Sequence, residues 1–529
     1  MNSGRDQRND RTNGNDQSGA GPAGPTAVSS YAGSPAGTGA APVRSLVPAR
    51  MDRLPWTSFH WRVITGLGVS WILDGLEIQI VSTVGSVLTD KGTLHLTASD
   101  VGLLGSVYLL GEVIGALVFG RITDNIGRKK MFITCLLIYL VASGLGGFSF
   151  NLWSLLLCRF VAGTGIGGEY TAINSAIDEL IPSHYRGRVD IAVNGTYWAG
   201  AMIGAAASIF LLNPAIFGIN VGWRIGFLIG PFLGLIVIYL RRALPESPRW
   251  LMTHGREQEA EETVDGIEAW VERDGVHLEP VPDSKALEVS ARGSISYIEI
   301  AKTMLRDYPG RSFLGFSMMV TQAFLYNAIF FTLGLVLGKV YNVPSDQIGF
   351  YIFPFALGNL LGPLILGPFF DTVGRRKMIL GTYGGSGVLL AIDALFFHAG
   401  LLNPITQTIF WCLIFFFASA GASSAYLTVS EIFPLELRAQ AISFFFAASQ
   451  GAGGVAAPFI FGALVGLATA NGGLNRLPLT IGYLFGAAVM IAGGLIAWFF
   501  GVNAERQSLE DIAAPLSAVN RPAPGTAAV

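Results

Sequence analysis

The chain has 529 residues, of which 51% are hydrophobic and only 13% charged, with a mean hydropathy of +0.51. This composition excludes an ordinary soluble globular protein and points to a polytopic membrane protein. The formal net charge of −2 gives no global basic field for nucleic acid, and Cys135, Cys158 and Cys412 fall inside apolar runs, without the spacing of a disulfide framework or a zinc site.

Residues 1–55 are rich in Gly, Ala, Ser, Pro and Asn and are expected to form a disordered tail. The tail lacks the charged start, short apolar core and small-residue cleavage site of a secretory signal, so no cleavage is expected. From Trp61 onward, apolar runs of about twenty residues, each enough to cross a bilayer, alternate with short polar connections. Twelve spans are expected, near 61–87, 99–120, 130–149, 152–174, 189–212, 222–241, 311–338, 347–370, 378–399, 405–428, 439–468 and 478–501. The fold class is thus all-α, with twelve transmembrane helices in two pseudo-symmetric six-helix bundles, 56–241 and 311–501. A linker, 242–310, joins them, and a tail, 502–529, follows. Within the linker, the stretch from Arg256 to Arg273 mixes acids and apolar residues in the manner of a surface helix.

Two halves of one design are fused head to tail. Gly120 to Lys130 and Gly367 to Lys377 both read G-x-x-x-D-x-x-G-R-(R/K)-K, and each joins one apolar run to the next. Glu179, Pro182 and Arg186 share the spacing E-x-x-P-x-x-x-R with Glu431, Pro434 and Arg438. The aspartates Asp124 and Asp371 are 247 residues apart and the glutamates Glu179 and Glu431 are 252 apart, as a duplicated chain requires. Arg128, Lys129, Lys130, Arg186, Arg188, Arg241, Arg242, Arg375, Arg376, Lys377 and Arg438 occupy connections on one side, which the positive-inside rule makes cytoplasmic. Both termini are then cytoplasmic.

A charge inside hydrocarbon is costly, so each intramembrane ionisable residue is a candidate functional group. Asp74 and Glu77 share a face of span one, Glu112 lies in span two, and Arg159 and Glu169 lie in span four. The proton affinity of a buried carboxylate changes with its pairing and hydration, and Arg159 is the best-placed cation for such a pair with Asp74. Asp393, in span nine, is expected to be peripheral. A second set is uncharged: Asn194, Tyr197 and Trp198, then Gln322, Tyr326 and Asn327, then Asn359, Tyr426 and Gln450 could face a small polar ligand, although helix packing accounts for any one of them alone. The third set, Asp124, Arg128, Glu179, Arg186, Asp371, Arg375, Glu431 and Arg438, lies at the cytoplasmic face and is expected to interlock the halves as a gate.

At these residues the chain resembles the major facilitator superfamily over about 56–515. Arg159 to Gly167 (R-x-x-x-G-x-G-x-G), Pro245-Glu246-Ser247-Pro248-Arg249-Trp250 and Ser508-Leu509-Glu510-Asp511-Ile512 narrow the resemblance to the sugar-porter-like branch and its metabolite:proton symporter relatives. The resemblance implies a secondary transporter in which Asp74 and Arg159 couple transport to protons. Span seven reads Thr321-Gln322-Ala323-Phe324-Leu325-Tyr326-Asn327, without the paired glutamines of sugar porters, which argues against a hexose.

The expected function is proton-coupled symport of a small polar or anionic metabolite by alternating access. Glu77 and Glu112 are further candidates for proton coupling. The rivals are a proton-exchange exporter, an uncoupled facilitator and, from another class, a transporter-derived nutrient sensor. An enzyme is not expected, since no nucleophile with a base, metal-ligand cluster or phosphate-binding loop is present, and neither is a cofactor or metal. The expected partners are the substrate, protons and the lipid bilayer, with no nucleic acid, for a monomer in the plasma membrane, the inner membrane of a bacterium.

Overall fold

The structure, a computed structural model, describes residues 43–241, 244–289, 297–433, 438–470 and 473–502. Twelve long helical segments run through these residues. In the first half they are α1 (Ser58–Val84), α2 (Ala98–Ile126), α3 (Arg128–Gly146), α4 (Leu152–Leu180), α5 (Ser183–Leu211) and α6 (Ile219–Arg241). In the second half α7 (Pro309–Phe330) is followed by a short extension, Leu333–Lys339, and then by α8 (Ile348–Thr372). The ninth, α9, runs Arg375–Ile379, through a π turn at Leu380–Gly384, to Gly385–His398. The remainder are α10 (Pro404–Ile432), α11 (Arg438–Ser449, a π turn at Gln450–Gly454, then Ala456–Thr469) and α12 (Leu477–Phe500).

Ten of the twelve are long and apolar enough to cross a membrane by length and composition; α4 and α5 are 29 residues each but carry Arg159, Glu169 and Glu179, and Arg186, Arg188 and Asp190. Large apolar side chains such as Phe150, Trp153, Phe232 and Phe499 stay exposed, as a lipid-facing surface requires. The chain belongs in a membrane as a multi-pass protein. Side chains set several helix starts. Thr97 with Asp100, Asn151 with Ser154 and Asn403 with Thr406 each form a reciprocal cap at the starts of α2, α4 and α10, satisfying backbone N–H groups that have no partner within the helix.

The pairing of helices repeats between halves. In the first half α1 packs on α5, α2 on α4 and α3 on α6; in the second α7 packs on α11, α8 on α10 and α9 on α12. The halves meet symmetrically through α2 with α11 and α5 with α8. Both duplicated loops also turn the same way: Gly127 has φ 105° and Gly374 φ 108°, a left-handed conformation that a side chain disfavours.

One expectation needs correction: residues 43–55 are ordered, and beside the helices β1 (Val43–Ser45) pairs antiparallel with β2 (Leu287–Val289). The reason is apolar anchoring. Val47, Met51 and Leu54 are buried together with Trp250, Leu251, Ala260, Val264, Ile267 and Val271 of the linker, whose helix Glu257–Arg273 lies where the sequence placed a surface helix. Charges flank that core: Arg50 donates to Glu268 at 3.0 and 2.5 Å and to Asp265 at 2.5 Å, and Arg53 donates to Glu268 at 2.6 Å. Asp274 accepts from the Ser58 backbone at 2.8 Å, fixing this cap to the start of α1.

Candidate functional site

At the crossing of α2 and α4, four glycines bring the backbones into contact. A Cβ on Gly111 or Gly115 would strike the carbonyls of Phe160 or Thr164, and one on Gly163 or Gly167 those of Tyr108 or Glu112. This is the reciprocal small-residue crossing of membrane helices, and it accounts physically for the glycines that follow Arg159. Close approach seats the Arg159 guanidinium over the Tyr108 ring, 4.1 Å from its centroid, a cation on an aromatic face. Arg159 is 2% exposed, and its Nε and Nη2 have no hydrogen-bond partner among the described residues.

Three carboxylates share this interior: Asp74, Glu77 and Glu112 are all buried. The Tyr139 hydroxyl on α3 donates to the Glu77 carboxylate, and a Cβ on Gly230 of α6 would overlap Glu77 Oε2. Glu77 and Arg159 lie within electrostatic range of each other. Asp74 is in range of Tyr108, Tyr139 and Tyr197, and Glu112 of Tyr108 and Tyr197. Among the described residues no ion pair joins Arg159 to Asp74, so in this conformation the arginine is held by the Tyr108 ring and shares its surroundings with Glu77. Glu169, lower on α4, is also fully buried.

Tyr197 leads from that cluster to the seam between halves. Its ring lies 5.2 Å from Trp198, and Trp198 reaches across to the second half, 6.1 Å from Tyr326, 6.1 Å from Phe330 and 6.4 Å from Phe355. Polar groups are interleaved with these rings. Tyr326 donates to Asn359 Oδ1 at 2.9 Å, and Asn327 Nδ2 donates to Gln450 Oε1 at 2.9 Å, at the start of the π turn in α11. The structure therefore brings together Trp198, Tyr326, Asn327, Asn359 and Gln450 from four helices. Asn194, Gln322 and Tyr426 are half-buried on α5, α7 and α10. Sequence reasoning missed Tyr108, Tyr139, Phe330 and Phe355, because aromatic residues are common in apolar spans and nothing in their spacing distinguishes wall from packing.

The seam is closed at the end opposite the duplicated loops. Ser82 on α1 donates to the Phe330 carbonyl at 2.5 Å, Phe459 N donates to Ser106 Oγ at 3.0 Å, and Ser345 donates to the Leu212 carbonyl at 3.3 Å. Gly102, Gly334 and Gly349 sit against backbone of the opposite half with no room for a side chain. Toward the duplicated loops, Tyr170 stacks on Phe446 with centroids 4.6 Å apart.

At the first duplicated loop, Arg128 pairs with Glu179 at 3.1 Å and donates to the Thr123 carbonyl at 3.2 Å. Both partners belong to the first half, so the bond seen here lies within a half instead of between halves. Glu246, just beyond α6, accepts from the backbone N–H of Arg128 at 2.9 Å and of Lys129 at 3.2 Å, an anion seated on the N-terminus of α3. In the second half Arg376 donates to the Trp498 carbonyl at 2.6 Å, capping the end of α12, and Arg375 is buried. The side chains of Asp124, Arg186, Asp371, Glu431 and Arg438 lie outside the described residues.

The family described as "Sugar (and other) transporter" matches residues 56–515. The niacin transporter NiaP of Acinetobacter baylyi is 27% identical over 467 residues, 88% of this chain and 99% of that protein. The putative metabolite transport protein YdjK of Escherichia coli is 30% identical over 438 residues, 79% of this chain and 88% of its own length. Among solved structures, a partially occluded inward-open conformation of the xylose transporter XylE from E. coli superposes with a TM-score of 0.66 at 17% identity, covering 85% of this chain and 100% of that one. That likeness shows the fold: twelve membrane helices in two domains.

Proposed function

The chain belongs to the family of sugar (and other) transporters, and from that premise we propose that it carries a small anionic metabolite together with protons, as a symporter. The observation that carries this reading is the buried cluster of Asp74, Glu77, Glu112 and Arg159, which Tyr197 connects to the aromatic and amide groups of the seam. Buried carboxylates around one guanidinium exchange protons when their partners change. Rings and amides drawn from both halves suit a planar polar ligand.

The substrate class follows from the same groups. A small aromatic monocarboxylate would stack on Trp198 or Tyr326, accept from the Gln450 amide N–H, and bring the negative charge that the unused Arg159 donors lack. One relative is named a niacin transporter, and niacin is such a molecule.

In the cycle, units 56–241 and 311–501 rock about the seam while the linker 242–310 stays cytoplasmic. Base-rich connections put the duplicated loops and both termini in the cytoplasm of a bacterial cell, with the protein in the inner membrane as a monomer. The sealed end is then outermost, and the conformation is inward-facing. A proton entering from outside is taken by Asp74 or Glu77. The loaded carrier closes behind it, and release of substrate and proton inside restores the charged cluster. The Arg128, Glu179 and Arg375 groups, with Asp124, Arg186, Asp371, Glu431 and Arg438, re-pair between halves when the cytoplasmic side shuts.

The test begins with a thermal-shift screen of aromatic acids, dicarboxylates, sugars and nucleosides against the purified protein. Proteoliposomes then measure uptake of the stabilising compound, with nicotinate as the reference. Accumulation should require an inward proton gradient in the native chain and lose that requirement or stop altogether in Asp74→Asn and Glu77→Gln. Gradient-driven accumulation that survives in both variants contradicts the coupling mechanism, and stabilisation by sugars alone contradicts the substrate class.

A further inference from the structure

Asp393 is a fully buried carboxylate in the second half, far along α9 from the duplicated loop and remote from the acid cluster of the first half. The Gln407 side-chain amide donates to Asp393 Oδ1 at 2.8 Å and Oδ2 at 3.0 Å, and the Tyr341 hydroxyl donates to Gln407 Oε1 at 2.8 Å. Gln407 is itself fully buried in the first turn of α10. Tyr341 stands two residues past the extension Leu333–Lys339, after Val340, and its ring packs 6.3 Å from Phe397 of α9. Tyr483 of α12 lies within electrostatic range of Asp393, Arg476 before α12 within range of Tyr341, and His398 at the end of α9 beside Thr480.

The direction of this chain is dictated by its last member. The Gln407 amide turns its NH₂ toward Asp393, whose two oxygens accept, and its oxygen toward Tyr341, which donates. The carboxylate thereby orients a donor two residues away. What Tyr341 holds is the extension of α7, a separate half-helix after the break at Phe331 and Thr332, and this extension forms part of the seal. A Cβ on Gly334 would stand 2.7 Å from the carbonyl oxygen of Ser82 on α1, and one on Gly338 2.7 Å from Cβ of Ser86, just past the end of α1. Immediately beyond Tyr341 the chain turns sharply at Asn342, with φ 56°.

We infer that Asp393 is a positioning residue for the outer seal: through Gln407 and Tyr341 it fixes the far end of the α7 extension and so sets how readily the sealed end opens. The inference rests on the alternating-access reading, but its test needs neither substrate nor proton gradient. Spin labels at Lys91→Cys in the first half and Gln347→Cys in the second, in a chain whose three native cysteines are replaced by alanine, report the width of the sealed end by double electron–electron resonance. Tyr341→Phe keeps the ring and removes only the donor; Asp393→Leu roughly keeps the volume and removes both acceptor oxygens. Each is expected to lower the ratio of short-distance to long-distance population about fivefold, the change that one buried hydrogen bond produces. The double variant should go little further than either single one, because the three residues act as one chain. A distance distribution unchanged in the folded Tyr341→Phe protein, or effects of the two substitutions that simply add, would overturn the inference. Loss of transport with an unaltered distribution would count against it equally.

Discussion

Tyr139 on α3 gives its hydroxyl hydrogen to the Glu77 carboxylate on α1, in space that Gly230 on α6 leaves free. Three helices thus converge on one acid. Removing the donor as Tyr139→Phe should cost about 1 kcal/mol, the range for a buried hydrogen bond. Gly230→Ala should displace the carboxylate by overlap at a cost of about 1–3 kcal/mol. Thermal unfolding of the two purified variants measures the loss. Both should also slow gradient-driven uptake while leaving binding, read by thermal shift, intact. Unimpaired uptake in Gly230→Ala would argue that the position of Glu77 is immaterial.

The rings at the seam make a separate prediction. Trp198 touches three aromatic residues of the opposite half, so Trp198→Ala removes the main wall shared between halves. Affinity for the stabilising ligand should fall about tenfold, since one lost aromatic stacking contact is worth about 1–1.5 kcal/mol. Tyr326→Phe keeps the ring and loses only the hydroxyl that bonds Asn359 and Ser419, so its effect should be smaller. Equal affinities across all three proteins, measured by titration calorimetry, would move the ligand elsewhere.

At the first duplicated loop, Gly127 combines a left-handed backbone with a crowded site: a Cβ there would lie 2.6 Å from Glu246 Oε2. Gly127→Ala should therefore destabilise the protein by about 1–3 kcal/mol. Glu246→Gln should weaken the seat on the α3 N-terminus by about 1 kcal/mol, because the charge is lost and only neutral acceptance remains. Differential scanning calorimetry in detergent distinguishes these costs from an unstrained loop, which would tolerate both changes.

The docked N-terminal segment depends on acid. Burial alone would favour the neutral form of Glu268, but hydrogen bonds from Arg50 and Arg53 outweigh it and hold the carboxylate below its ordinary 4.5. Hydrogen bonds from Ser58 hold Asp274 below its ordinary 3.8. A depressed folded-state value means that the stabilisation is fully present above the ordinary value and is lost as pH falls through the folded one. Residues 43–57 should thus stay protected at neutral pH and detach only below pH of about 4. Hydrogen exchange, corrected for intrinsic rates, would show this as a loss of protection confined to those residues. Arg50→Ala should move the onset to higher pH.

Much of the architecture was legible in the sequence because a bilayer imposes a length on every apolar run and the duplicated loops declare the repeat. The N-terminal segment was not legible to the same degree. Val47, Met51 and Leu54 are three apolar residues in a polar tail, and only the linker folded beside them gives them something to bury against. The acid cluster was readable as a set, since each member is an expensive charge in an apolar run. Its internal pairing was not: which carboxylate sits nearest Arg159 depends on where Gly163 and Gly167 let α4 approach α2 and on a tyrosine from α3. The direction of the Arg128 to Glu179 bond was hidden for a related reason. Duplicated charges look equally able to pair within a half or between halves, and the conformation decides.

The two ends of the molecule are fastened by different kinds of force. Among the described residues no ion pair crosses the sealed end, whose fasteners are hydroxyl-to-carbonyl bonds and glycine backbones in contact, whereas the opposite end carries Arg128 with Glu179. Electrolyte screens charge pairs and leaves dry backbone contacts nearly untouched. Raising ionic strength therefore weakens the loop of the first half from within and leaves the sealed end shut, so salt and temperature act on different parts of the carrier.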